Sequence, residues 1–206
     1  SRYSKGYYSM NKSQAHAIVG GLTQTTKMPC KSYSMPTIAC KTGYRMAQVV
    51  GSICSSCYAN KGNYLKYANN IEPAQHARLV SLDDSLWIDA MVTLIGNDKY
   101  FRWHDSGDLQ SIDHLLKIVN VAKLTPNCKH WLPTREYSFI KEYIRLYGEF
   151  PDNLFIRLSA MYPDKPVKTT KASRGISSET FLRLCSLAPI VVKGFGWNLL
   201  QLQHFL

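Results

Sequence analysis

Apolar positions along the chain change their rhythm several times, and each change marks an element. Up to Cys57 there is little rhythm: Ser, Thr, Tyr, Gly and Pro dominate and predict a long, loop-like stretch. So long an irregular segment calls for something other than secondary structure to organise it. Over residues 73–94 the spacing turns helical, with Ala77, Val80 and Leu82 preceding a break at Asp83, Asp84 and Ser85. Trp87, Ala90, Met91, Leu94 and Ile95 then recur at helical intervals until Gly96 and Asn97 end the run.

Beyond that point strands and helices alternate. Residues 100–103 read as an aromatic strand, followed by the polar run 104–108. Residues 109–124 form an amphipathic helix through Ile112, Leu115, Leu116, Ile118, Val119 and Val121. Residues 130–133 read as a second strand with a polar turn at 134–136, and residues 139–147 as a helix with Ile140, Tyr143 and Ile144 on one face. Residues 154–158 make a third strand ending at Ser159; a helix over 178–187 and a fourth strand at 190–192 complete the pattern.

This alternation predicts βαβ units around a parallel sheet. The expected fold class is α/β, a partial (β/α) barrel or an open curved parallel sheet, because the strands are too few to close an eight-stranded barrel. The chain reads as one domain over residues 1–206, with a cysteine-bearing, cluster-binding loop region at 1–70 and the α/β part at 71–206. Polar residues follow the C-terminal ends of the first three strands, where such sheets place their chemistry.

Composition narrows the class. With 206 residues, 45% of them hydrophobic, the chain can bury a core without disulfide staples. No run approaches the roughly 18–20 apolar residues that span a bilayer, and the first residues lack the apolar stretch of a secretory signal. A cytoplasmic protein with no membrane contact is the expectation. In that compartment six cysteines are not three disulfides. The net charge of +11 predicts attraction to polyanions such as nucleic acid, a nucleotide or an acidic partner protein. A generally basic, solvated surface accounts for it equally well, since the charge is spread out with only modest concentrations at 1–12 and 165–174.

Four of the six cysteines, Cys30, Cys40, Cys54 and Cys57, fall within one short stretch, whereas Cys128 and Cys185 stand alone. Cys54 and Cys57 form a tight pair whose turn can bring both sulfurs inward. Zinc sites favour two such pairs, and only one exists here. Iron–sulfur clusters accept more scattered ligands. Spacing points to an iron–sulfur cluster ahead of zinc or unligated thiols, and it leaves open whether Cys30 is a fourth ligand or a neighbour.

The run from Met28 through Pro36, the string Gly51-Ser-Ile-Cys-Ser-Ser-Cys-Tyr-Ala-Asn-Lys-Gly-Asn-Tyr64, and the segments at 100–109, 131–136 and 153–159 together resemble the tailed-phage family called gene product 88. That resemblance implies a phage-encoded protein working in the host cytoplasm. More distantly, Cys54-Ser-Ser-Cys-Tyr-Ala59 followed by strand-borne Gly-Asp, Thr-Arg-Glu and Arg-Leu-Ser motifs looks like the radical S-adenosylmethionine barrel. That likeness implies a 4Fe–4S cluster on three cysteines and an iron left open for S-adenosylmethionine, cleaved reductively to start radical chemistry on an unknown substrate. By it, Ser106, Gly107 and Asp108 would meet the cofactor amine, and Arg135, Glu136, Arg157 and Ser159 would line the same face. Where the superfamily's spacing puts a cysteine at position 50, this chain has Val50. The alternative is a non-catalytic cluster or zinc protein that uses its basic surface on nucleic acid or a host protein.

Each polar motif also has a plainer reading. Asp108 or Ser111 could cap the helix that follows, and Arg135 could pair internally with Glu136. Arg157, within an apolar strand, points to a ligand pocket because a buried charge is costly without a partner. Tyr58, Tyr64 and Tyr67 read as packing over the cysteine loop, Cys128 and Cys185 as ordinary buried thiols, and His130 as a strand residue with no visible partner.

Overall fold

A computed structural model describes residues 10–24, 30–163 and 165. The helix expected at 178–187, the strand at 190–192 and Cys185 lie outside the described residues. The chain opens with α1 (Lys12–Val19), started by a capping box in which Asn11 and Gln14 each accept the other's backbone N–H at 2.9 Å. Strand β1 (Thr23–Gln24) pairs antiparallel with β2 (Lys31–Tyr33). The N-terminal part is therefore not the featureless loop that its composition suggests. Two of its segments are strands too short to show a period-2 pattern.

Between β2 and the next strand lie α2 (Lys41–Ala47), α3 (Asn63–Lys66), α4 (Ala68–Ser81) and α5 (Trp87–Ile95). Helix α4 begins ahead of Pro73, which sits inside it. A proline in the second turn removes one backbone bond yet does not end the helix, so the residue that reads as a start is an interior position. Strand β3 (Tyr100–Trp103), α6 (Ile112–Leu124), β4 (Lys129–Thr134), α7 (Tyr137–Tyr147) and β5 (Leu154–Leu158) follow the predicted alternation with shifts of a few residues at the ends. The start of α6 moves to Ile112 because Ser111 is its cap, accepting from the His114 N–H at 3.0 Å.

The sheet is open, mostly parallel and ordered β1-β2-β3-β4-β5, with β2 through β5 parallel and adjacent in chain order. All the loops that leave the parallel strands' C-terminal ends therefore emerge along one edge. No described helix is long and apolar enough to cross a membrane.

The core under that edge is aromatic. Trp103 packs edge-on against Phe101 at 4.8 Å between ring centres and stacks with Trp87 at 6.1 Å. The Tyr33 hydroxyl sits among them, donating to a helix carbonyl (Val19 at 2.8 Å) and accepting from the Trp87 indole at 3.2 Å. His130, for which the sequence shows no partner, is fully buried. It stacks on Trp103 at 6.0 Å, meets Thr125 Oγ1 at 2.8 Å through Nε2 and accepts from the Trp103 indole through Nδ1 at 3.3 Å. Burial holds its imidazole near a pKa of 4, so it is neutral at pH 7. Those partners come from other elements, so nothing local in the sequence announces them.

Arg78, buried at the junction of α1, β1 and α4, donates through Nε to the Gly21 carbonyl at 3.0 Å and through Nη1 to the Ser34 hydroxyl. Gly20 permits this closeness: a Cβ there would lie 2.8 Å from the Arg78 backbone nitrogen. Replacing Tyr33 with Phe leaves the Trp87 N–H and a helix carbonyl unpaired. Urea unfolding is expected to show a loss of about 1–3 kcal/mol.

Candidate functional site

The loops after the parallel strands line one cavity of about 520 Å³, within the size range of small-molecule sites. Strand β3 delivers His104, Ser106, Gly107 and Asp108; β4 delivers Thr134 and Arg135; and Ser159 follows β5. The opposite wall is the cysteine segment, with Cys40, Cys54 and Cys57 all on the cavity.

That segment is held by local hydrogen bonds and by one long-range clamp. Cys40 is the residue before α2, and Cys54 and Cys57 are joined by a tight turn whose Cys57 N–H donates to the Cys54 carbonyl at 3.2 Å. Ser52 ties the turn back to α2 by donating to the Met46 carbonyl at 2.6 Å. The clamp is Glu136, whose carboxylate accepts the Thr42 N–H at 2.7 Å and the Thr42 hydroxyl at 2.8 Å. The Ile53 N–H donates to Met161 just past β5, fastening the far side at 3.0 Å. Gly43 lets the sulfurs approach: a Cβ there would be 3.0 Å from Cys40 Cβ, 3.6 Å from Cys40 Sγ and 3.8 Å from Cys54 Sγ.

Cys30 does not join them. It precedes β2 whereas Cys40 follows it, so the strand carries the two to opposite ends of the sheet. Cys30 is buried near Cys128, whose thiol is pushed up to about 12 by burial first, with Asp98 and Cys30 nearby adding to the rise. The expected set of four is therefore three converging residues and one remote one. Among the described residues, no group of three or more His, Cys, Asp or Glu side chains stands close enough to clasp a metal ion. Cys40, Cys54 and Cys57 share one cavity wall and one electrostatic neighbourhood, not a ready-made single-ion cage.

Burial pushes the Cys40 thiol up to about 12, helped by Asp108, Cys57, Cys54 and Glu136 nearby. Burial also raises Cys54, against the opposing pull of the Arg135 guanidinium. Gathering thiols beside two carboxylates disfavours the thiolate. A bound cation would reverse that, since a coordinating thiol loses its proton.

The other predicted residues divide by what they touch. Asp108 is committed internally, accepting from Leu109 N–H at 2.8 Å, Thr134 Oγ1 at 2.5 Å and Arg135 N–H at 2.8 Å. It cross-ties the loops of β3 and β4 and does not cap α6. Ser106 donates to the Met35 carbonyl at 3.0 Å and accepts from Gln75 at 2.8 Å. Gly107 has φ +74°, and a Cβ there would lie 2.5 Å from Met35, so both its conformation and its space require glycine. Arg135 lines the cavity and donates through Nε to the Ala160 carbonyl at 3.0 Å, while Glu136 serves Thr42 as described. Ser159 lines the cavity with its N–H on the Thr134 carbonyl at 2.8 Å. Arg157 is not among the lining residues; it lies on the half-buried face of β5, opposite Pro133, while Leu154, Ile156 and Leu158 take the buried face. A pleated strand with one covered face tolerates a charge on the other.

His104, within the polar run that the sequence placed after β3, and Arg102, outside the predicted residues, also line the cavity. Arg102 stacks over the Trp131 ring at 4.9 Å. The alternation of residues 100–103 carried the signal for it, since Phe101 and Trp103 take the core face. His104 has a φ of +54° in a non-glycine residue, and burial holds its imidazole well below the ordinary value. Neither of its ring nitrogens meets a hydrogen-bond partner among the described residues. Tyr58 lines the cavity and donates to the Asp105 carbonyl, with Tyr64 edge-on to it at 6.0 Å, so the two rings pack beside the loop that follows β3.

Burial raises the Asp108 carboxyl from 3.8 to about 6, and the three hydrogen bonds offset this only in part. The folded chain therefore binds an extra proton between about pH 4 and 6. Stability from this group is complete below about pH 4 and is lost as the pH rises through about 6. In metal-free protein, Asp108→Asn is expected to flatten that decline in urea midpoints measured across the range.

Comparison with curated proteins and with solved structures returns no match. The comparisons supply no link to the radical S-adenosylmethionine superfamily. The family model described as Gene product 88 matches residues 6–183, which take in the cysteine segment, every described strand and all the cavity loops. The chain belongs to the Gene product 88 family.

Proposed function

We propose that Cys40, Cys54 and Cys57 hold an iron–sulfur cluster, of the 4Fe–4S type, at the C-terminal edge of a partial (β/α) barrel. The cavity beside it would receive S-adenosylmethionine or a comparable ligand. One observation carries the reading: three of the four clustered cysteines face a polar cavity while the fourth sits at the other end of the sheet. The donor set fits. Three soft thiolates suit iron–sulfur ligation, and a cluster several atoms across is held by thiolates on different irons, which need not converge on a single point. Strands β2 to β5 lie in chain order, as in an arc of barrel, and not in the reversing order of a doubly wound sheet.

When bound, such a cluster supplies an electron and one iron free of protein ligand. The chain's own residues supply the setting. Arg135 offsets the charge of the thiolate at Cys54, and Glu136 fixes the cysteine segment through Thr42. Asp108 holds the loops of β3 and β4 in register, so Thr134, Arg135 and Ser159 keep their places around the cavity. The buried walls limit water at the cavity floor.

Anaerobically purified protein is expected to be brown and to bleach with dithionite. Alanine at Cys40, Cys54 or Cys57 should each abolish the bound iron and sulfide, while Cys30→Ala retains them. A colourless zinc protein, or loss of iron in Cys30→Ala matching that in Cys40→Ala, would overturn the assignment. Incubating the reduced protein with S-adenosylmethionine tests the catalytic half: 5′-deoxyadenosine is the expected product, and its absence from cluster-replete protein leaves a binding role only.

A further inference from the structure

The cysteine segment does more than carry thiols. All 14 acidic residues of the chain lie at Glu72 or beyond it, so the stretch from α2 through α3, which includes the cysteine wall of the cavity, contains no carboxylate. The same stretch carries Lys41, Arg45, Lys61 and Lys66, each exposed and outside the cavity lining itself. Interleaved with them are aromatic rings set at the rim: Tyr44 and Tyr58 line the cavity yet are 57% and 60% exposed. The carboxylates that approach this wall from the sheet side, Asp105, Asp108 and Glu136, are buried. Asp108 and Glu136 are taken up by Thr134, Arg135 and Thr42, and Asp105 lies next to the tyrosines. The outward field of the rim is therefore set by the cations.

We propose that this rim binds single-stranded nucleic acid, with phosphates on the lysines and Arg45, bases on Tyr44 and Tyr58, and one nucleotide turned toward the cavity. Cationic side chains interleaved with exposed rings are the recurring design for single strands, because every base has a face to stack and every step has a charge. An acidic polypeptide would use the cations and leave the rings without a role. A duplex would have to give up a base pair to reach a recessed pocket, whereas a single strand presents its bases freely. The cavity has room for one such group, and Arg102, stacked on Trp131, adds a cation within it. That the strand is the substrate rests on the proposed function; that it is a ligand does not. Binding is therefore measured by itself, on protein prepared with and without iron.

The experiment is fluorescence anisotropy with labelled single-stranded DNA and RNA oligonucleotides over a salt series. Submicromolar to micromolar binding that weakens steeply with salt is expected. Lys41→Glu, Lys61→Glu and Lys66→Glu combined should weaken it by about tenfold or more and reduce the log–log salt slope by about 2. The same number of reversals elsewhere (Lys99→Glu, Lys123→Glu, Lys129→Glu) should change it by less than about threefold, although the net charge change is identical. Tyr44→Ala with Tyr58→Ala should weaken binding about fivefold or more at unchanged salt slope. Circular dichroism confirms that each variant is folded. Equal losses from the two sets of reversals would make the binding a matter of general charge and overturn the proposal. So would unaltered affinity in the tyrosine variant, duplex binding as tight as single-strand binding, or displacement of the oligonucleotide by polyglutamate or phosphatidylglycerol vesicles at equal charge.

Discussion

The grip of the Glu136 carboxylate on Thr42 is the contact on which the site depends. Two residues past the end of β4, it accepts both the backbone N–H and the hydroxyl at the start of the helix that follows Cys40. A segment of short turns with few buried side chains has little hydrophobic reason to choose one position over a sheet edge. Two charge-assisted hydrogen bonds, largely shielded from water, supply that reason. Fixing Thr42 fixes Cys40, and the Gly43 gap then sets Cys40 against Cys54. Asp108 does the parallel job within the sheet, joining the loops of β3 and β4. The buried carboxylates nearest the thiols thus act as fasteners, leaving Arg135 and the cysteines to face the cavity.

The same arrangement explains the electrostatic tension around the thiols. Cys40 and Cys54 are pushed toward their neutral forms by burial and by the carboxylates that anchor them. A metal bound by those sulfurs would take them as thiolates, which removes the preference that burial gives to the neutral thiol.

Much of the fold was legible from periodicity. The strand at 154–158 and the helix of Trp87, Ala90, Met91, Leu94 and Ile95 appear where the pattern places them, because apolar side chains there face a core. The N-terminal strands were not legible, since β1 and β2 are too short to show alternation. Pro73 misled because proline near a helix start resembles a boundary. In the site, the polar runs after β3 and β4 could be read from the sequence, and so could the Cys54–Cys57 turn. The position of Cys30 could not: proximity in sequence says nothing about which end of a strand a residue occupies. Arg157 takes the half-buried face of its strand, because the apolar neighbours Leu154, Ile156 and Leu158 cover only the other. The partners of His130 come from β3 and the end of α6, contacts that only the fold creates.

The central claim, a cluster with one iron that no protein thiolate holds, predicts that this iron leaves first. Iron analysis and electron paramagnetic resonance of anaerobic protein before and after mild ferricyanide oxidation test it directly. The account predicts about four irons per chain falling to about three, with the signal of a three-iron cluster appearing. Protein that contains no iron and sulfide, or a cluster that keeps all its iron through this treatment, would contradict it.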